Sequence, residues 1–213
     1  LSPHRIGVFG GTFDPIHFGH LELAEQAIKE VKLSKLLFIP AAKPPHKNGI
    51  ITPIEHRIAM LELVCKGSKH FSCSRIEAEL PKPSYTVDTL VELIKRYPDD
   101  AELYFIIGGD AFLDLMTWKS YTKILSMVQI VVSPRIGYSN QSIYAFLDRI
   151  GYTQINRKWQ GEDGRKNIVL LSKSPQDVCS SKVREVIAKG SDTTTLLPEV
   201  IAGYIKENCL YNL

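Results

Sequence analysis

Residues 5–25, RIGVFGGTFDPIHFGHLELAE, set the terms for the whole chain. A short apolar run, residues 6–9, reads as a buried strand. Gly10 and Gly11 follow it, then Thr12, Phe13, Asp14 and Pro15, and then His17 and His20 ahead of an amphipathic helix over 21–31. In that helix Leu21, Ala24, Ile28 and Val31 take one side, with Glu22, Glu25 and Lys29 on the other. Strand, glycine turn and helix is how an α/β protein builds a phosphate site. The two glycines let the backbone approach a ligand with no Cβ in the way. His17 and His20 stand three apart and share one helix face. Two imidazoles and a helix N-terminus then converge on one small volume suited to negative charge. Many tight turns carry Gly-Gly, but two histidines at this spacing are less easily explained as packing. Neither GxxxxGK[ST] nor GxGxxG is present, so the two best-known phosphate loops are excluded.

The rest of the chain continues the alternation. A second strand over 36–40 completes a βαβ unit, whose crossover should be right-handed, and predicts a mostly parallel, Rossmann-like sheet flanked by helices. A loop over 41–52 offers Lys43, His46 and Lys47 at the strand's C-terminal end, the edge that holds ligands in open α/β sheets. Helices are expected over 53–65, with Thr52 as N-cap, over 84–97, with Ser84 or Thr86 capping, over 121–127 and over 141–150. Strands are expected over 71–79, 102–107, 129–133 and 168–172, and an exposed connection over 151–167. The strand over 102–107 ends in Gly108-Gly109-Asp110, which repeats the opening logic and points Asp110 to a nucleotide contact. Near residue 178 a further helix begins at Ser180 or Ser181, with Arg184 in its first turns, a good cradle for polyphosphate.

Composition narrows the classes. The 213 residues, 44% of them hydrophobic, suffice for a single α/β domain over 1–213, with a small helical part from about 178. A net charge of +3 without a long Lys/Arg run argues against nucleic acid as a partner. No apolar run of about 18 residues and no signal peptide is present, so no membrane is expected. Cys65, Cys73, Cys179 and Cys209 form neither a CxxC pair nor a zinc spacing, as expected for reduced thiols in the cytoplasm and for a chain without its own metal ligands.

The stretch GGTFDPIHFGH resembles the (T/H)xGH signature of nucleotidyltransferases, in the form found in bacterial nicotinate-nucleotide adenylyltransferases. Further segments resemble that family in order: PAAKPPHK from Pro40 to Lys47, Arg57 and Met60 as an RxxM pair, SYTVDTL from Ser84, FIIGGDAFLDLMTW ending at Trp118, and SPRIGY around Arg135. VCSSKVR, ending at Arg184, matches the family's ISSTxIR, with Cys179 departing from the first Ser. The resemblance implies a Rossmann-like nucleotidyltransferase fold and transfer of the adenylyl group of ATP to nicotinate mononucleotide with Mg²⁺, giving deamido-NAD and pyrophosphate. It assigns His17, His20, Lys47 and Arg184 to catalysis. It assigns Gly10, Gly11, Thr12, Phe13, Gly108, Asp110, Ser180 and Ser181, together with both histidines and Arg184, to ATP. Lys47, Thr86, Asp88, Trp118 and Arg135 fall to the mononucleotide, with Trp118 as an aromatic plate against the pyridine. Another phosphate acceptor (nicotinamide mononucleotide or phosphopantetheine) and a nucleotide-sensing module without turnover remain as alternatives, and a homo-oligomer is left open.

Overall fold

The computed structural model describes residues 4–42, 51–81, 83–98, 100–134, 140–156 and 158–211. Its strands are β1 (Arg5–Gly11), β2 (Lys35–Pro40), β3 (Phe71–Cys73), β4 (Glu102–Gly108), β5 (Gln129–Ser133), β6 (Tyr152–Ile155), β7 (Lys158–Gly161) and β8 (Ile168–Leu170). They form one sheet in the order β3-β2-β1-β4-β5-β8-β7-β6. The pairs from β3 through β8 are parallel, while β7 and β6 run antiparallel to their neighbours. The chain moves outward from β1 to β3, then returns to lay β4 on the other side of β1. The strand order therefore reverses between β1 and β4, where open α/β sheets bind ligands.

Period-two alternation along the central strands feeds two cores. Ile6, Val8, Leu37, Ile39, Leu103, Phe105, Ile107, Ile130 and Val132 point to one face. Helices α4 (Thr86–Arg96), α5 (Gly109–Leu113), α6 (Tyr121–Met127) and α7 (Asn140–Arg149) contribute to that core. Phe9, Leu36, Phe38, Tyr104, Ile106 and Val131 point to the other, with α1 (Phe18–Val31), α2 (Ile54–Lys66), α8 (Ser180–Ala188) and α9 (Glu199–Glu207). Strands buried on both faces read as the near-continuous apolar runs of the sequence.

Four local expectations are corrected. Gly10 and Gly11 do not follow β1 but belong to it, pairing with Ile39 and Pro40. The run over 71–79 is a three-residue strand followed by a short helix, α3 (Ile76–Glu79). As an edge strand β3 has only β2 to pair with, and after the Ser74 N–H donates to the Phe38 carbonyl (2.9 Å) the chain turns to bury Ile76. The connection over 151–167 contains the β6–β7 hairpin, which buries Tyr152 and Trp159 among polar neighbours that mask its alternation. The helix caps shift as well. Pro53, Tyr85 and Cys179 occupy the N-cap positions of α2, α4 and α8, and none caps through its side chain.

Phe38 lies at the centre of the second core, with ring centroids at 5.8 Å from Phe9, 5.6 Å from Phe13 and 5.2 Å from Phe71. Phe38→Ala is expected to destabilise the protein by about 3–5 kcal/mol, measured as a shift in the urea unfolding midpoint. A change below 1 kcal/mol would show that these rings do not form one packed unit.

Candidate active site

The C-terminal ends of β1 and β2 open into a cavity of about 540 Å³. Gly10, Gly11, Thr12 and Ala41 form one end, while Tyr85, Thr86, Thr117, Trp118 and Lys119 form another. Val8, Ile39, Leu90, Phe105 and Ile124 give it an apolar floor. Glu77, Ser84 and Thr89 complete the wall.

The two histidines sit where β1 hands over to α1. His17 occupies the N-cap and His20 the first turn, and their rings stack at 3.7 Å between centroids. The His17 backbone N–H donates to His20 Nδ1 at 3.3 Å. A nitrogen that accepts carries no proton, so the proton of that ring sits on Nε2. Phe13, at 5.0 Å, and Phe9, at 6.0 Å, hold the same ring edge-on. His17 is almost fully buried, and among the described residues its Nδ1 has no hydrogen-bond partner. Burial lowers its pKa to about 4. At neutral pH the ring is therefore a dipole and not a cation. Between these histidines only glycine fits. A Cβ on Gly19 would lie 2.9 Å from the Gln176 carbonyl oxygen and 3.3 Å from the His17 ring.

Gln176 belongs to the segment that leads into α8, and α8 forms the opposite side of the site. Ser180 Oγ donates to the Pro15 carbonyl (3.0 Å), and Arg184 donates to the Asp14 carbonyl (2.7 Å). The Asp14 carboxylate is buried and accepts from the Tyr211 hydroxyl (2.7 Å) and the Thr52 N–H (3.4 Å). Beneath it Arg57, 1% exposed, donates to the carbonyls of Thr12 (2.8 Å), Ala41 (2.9 Å) and Thr52 (2.9 Å). Arg57 thus ties the exit of β1, the exit of β2 and the entrance of α2 into one knot.

Residues 8–186 match the family described as Cytidylyltransferase-like. A protein of Desulfotalea psychrophila named "Probable nicotinate-nucleotide adenylyltransferase" is 41% identical over 97% of this chain and 99% of its own length. One of the same name from Thermomicrobium roseum is 39% identical over 97% of this chain and 91% of its own. The chain belongs to the nicotinate-nucleotide adenylyltransferase family. The fold agrees. The Plasmodium falciparum nicotinic acid mononucleotide adenylyltransferase complexed with NaAD superposes with a TM-score of 0.73 at 18% identity, covering 97% of both chains.

Nicotinate-nucleotide adenylyltransferases are nucleotidyltransferases, enzymes that use ATP and generally a divalent metal. Of the residues assigned to this chemistry from sequence, the structure gathers Gly10, Gly11, Thr12, Thr86 and Trp118 around the cavity. It brings Ser180 and Arg184 onto the carbonyls of Pro15 and Asp14 and His20 against Phe13, with His17 stacked on His20. Ser181 is exposed beside Cys179, with its Oγ 3.1 Å from Sγ. Gly108 and Asp110 stand at the end of β4, where Gly108 pairs with Ser133. Phe13 is placed differently: its ring is core, 1% exposed, and bears on a ligand only through His20. Asp88 is not in the cavity wall but pairs with Lys119, which is. Lys47 and Arg135 lie outside the described residues. Sequence reasoning passed over Lys119, Glu77 and Tyr211, none of which sits in a telling spacing. The one available signal was that Lys119 follows Trp118.

The buried imidazole gives a pH signature. Its folded pKa lies below the unfolded value of about 6.5, so the unfolded chain takes up the proton first as pH falls. The stability that His17 contributes is full above pH 6.5, is lost progressively towards pH 4, and amounts to about 3 kcal/mol. NMR titration of the ligand-free protein should place the His17 midpoint near 4. A midpoint at 6 or above would mean that the ring is solvated.

Proposed function

We propose that this protein transfers the adenylyl group of ATP to nicotinate mononucleotide, giving deamido-NAD and pyrophosphate, a step of NAD biosynthesis, and that the whole chain acts as one nucleotidyltransferase domain in the cytoplasm. The observation that carries the reading is the single cavity that joins the glycine end of β1 to the aromatic wall at Tyr85 and Trp118. The glycine end suits a phosphate, and the aromatic wall suits a flat heterocycle. Family membership supports the reaction, and four unbridged cysteines are in keeping with a reducing compartment.

A phosphate oxygen of the mononucleotide attacks the α-phosphorus of ATP. A new P–O bond forms, the bond from the α-phosphorus to the bridging oxygen breaks, and pyrophosphate leaves with that electron pair. The attacking phosphate is already ionised at pH 7, so no general base and no protein nucleophile is required. The chain's work is positioning and charge stabilisation. His20, with its proton on Nε2, donates to the α-phosphate, and the neutral His17 ring supports it from beneath. The N-terminus of α8, with Ser180, Ser181 and the guanidinium N–H groups that Arg184 has beyond its bond to Asp14, holds the leaving pyrophosphate. Gly10, Gly11, Thr12 and the backbone of Phe13 line the path of the phosphates. Gly108 and Asp110 meet the nucleoside. Thr86 and Trp118 face the pyridine.

Among the described residues no group of three His, Cys, Asp or Glu converges to cage a metal. The divalent metal of this reading is Mg²⁺, which when bound would neutralise charge on the triphosphate.

His20→Ala should leave the far-ultraviolet circular dichroism unchanged and lower turnover by about two orders of magnitude or more, followed as pyrophosphate release. Near-normal turnover would remove His20 from charge stabilisation. In a panel of acceptors, nicotinate mononucleotide should give the highest kcat/KM, ahead of nicotinamide mononucleotide and phosphopantetheine. ATP binding by calorimetry without pyrophosphate release on any acceptor would overturn the enzymatic reading.

A further inference from the structure

The acceptor end of the cavity holds a cation that the mechanism above does not use. Among the described residues that line it, Lys119 is the one basic side chain. Its Nζ lies 2.9 Å from Asp88 Oδ2, 3.3 Å from Asp88 Oδ1 and 4.6 Å from the centre of the Tyr85 ring. Tyr85 is the N-cap of α4 and Asp88 lies in its first turn, while Lys119 follows directly on Trp118. One ammonium is therefore held between the start of a helix and the turn that carries the second aromatic wall.

Charge elsewhere in the cavity is already engaged. Glu77, the other ionisable carboxylate or amine of the described wall, accepts from Ser84 Oγ (3.1 Å), Thr89 Oγ1 (3.0 Å) and the Ala42 N–H (3.3 Å). Trp118, Tyr85 and the apolar floor offer only surface to a ring and do not discriminate its substituents. An acid and an amide on that ring have nearly the same shape and differ in charge, so a cation beside the ring acts on one and not on the other. An ammonium has three N–H donors. With Asp88 taking one side, a further donor is available to an anion that enters beside Trp118. Asp88 also cancels most of the charge at longer range, so the ammonium does not draw triphosphate into the acceptor's end of the cavity.

We propose that the Lys119 side chain, held by Asp88 and Tyr85, selects a pyridine carboxylate over its carboxamide. Lys119 is a specificity-determining residue, and Asp88 is a positioning residue that acts through it. This deepens the function proposed above and rests on it. Both side chains are about half exposed, so solvent moderates the effect, and about a tenfold contribution to discrimination is expected.

The test is a set of kcat/KM values for nicotinate and nicotinamide mononucleotides, read as pyrophosphate release, for the wild type, Lys119→Met, Lys119→Arg, Asp88→Asn and the double variant Lys119→Met/Asp88→Asn. Lys119→Met should lower the acid-to-amide ratio about tenfold, mainly through a higher KM for the acid, and Lys119→Arg should keep the ratio within about threefold of wild type. Asp88→Asn should lower the ratio by a smaller factor and have no further effect on it in the Lys119→Met background. A wild type active on the acid, with an unchanged ratio in Lys119→Met, would overturn this inference and leave the proposed function standing. Equal losses on both acceptors, or Lys119→Arg behaving as Lys119→Met, would overturn it too. A wild type inactive on nicotinate mononucleotide would overturn the function itself, and this assignment with it.

Discussion

A guanidinium costs several kcal/mol to take out of water, and Arg57 is among the most completely buried large side chains of this protein. Three of its N–H groups, on Nε and Nη1, donate to the carbonyls of Thr52, Thr12 and Ala41. Those carbonyls are backbone groups where strands end and a helix begins, places that the sheet itself leaves unpaired. Each side of the arrangement needs the other. Without the guanidinium three partly buried acceptors lose a donor, and without the carbonyls a charge is stranded in the core. The phosphate end of the cavity is shaped at this point, because Thr12 and Ala41 both line it.

The sheet explains why the site lies where it does. Strand order reverses between β1 and β4, so the crossovers leave these two strand ends on opposite sides and open a crevice above them. The glycines at the end of β1 keep that crevice accessible to backbone contacts. The crowding is tightest one turn further on. Gly19 lets the segment before α8 press against α1 and the His17 ring, and this brings the α8 N-terminus over the loop that carries Asp14 and Pro15. Two helix starts thus lie on either side of a short loop, a setting that suits a phosphate.

The parts legible from sequence are those with a local cause. Periodicity located β1, β2, β4, β5, α1 and α6, since strand and helix repeats survive burial on two faces. Histidine spacing located the stacked pair His17 and His20. What stayed hidden has a nonlocal cause. The hairpin of β6 and β7 is visible only once Tyr152 and Trp159 have a core to enter. Ser84 looks like a cap and instead donates to Glu77, because α3 brings that carboxylate next to it. Asp88 looks like a ligand residue, yet it meets Lys119, 31 positions away, before it meets a substrate. Phe13 sits inside the best-marked motif of the chain and serves it as packing.

The loop at Asp14 and Pro15 is held from far along the chain: by Ser180 at a separation of 165 residues, by Arg184 at 170 and by Tyr211 at 197. Asp14 and Pro15 thus acquire these braces only after residues 180–211 have been made. During synthesis the amino-terminal half can pair its strands long before it can handle a nucleotide. A stalled or shortened product that carries every residue of the opening motif would still lack the braces that set it. The opening motif is thus braced only once residues 180–211 have folded back onto it, so its geometry depends on contacts that span most of the sequence.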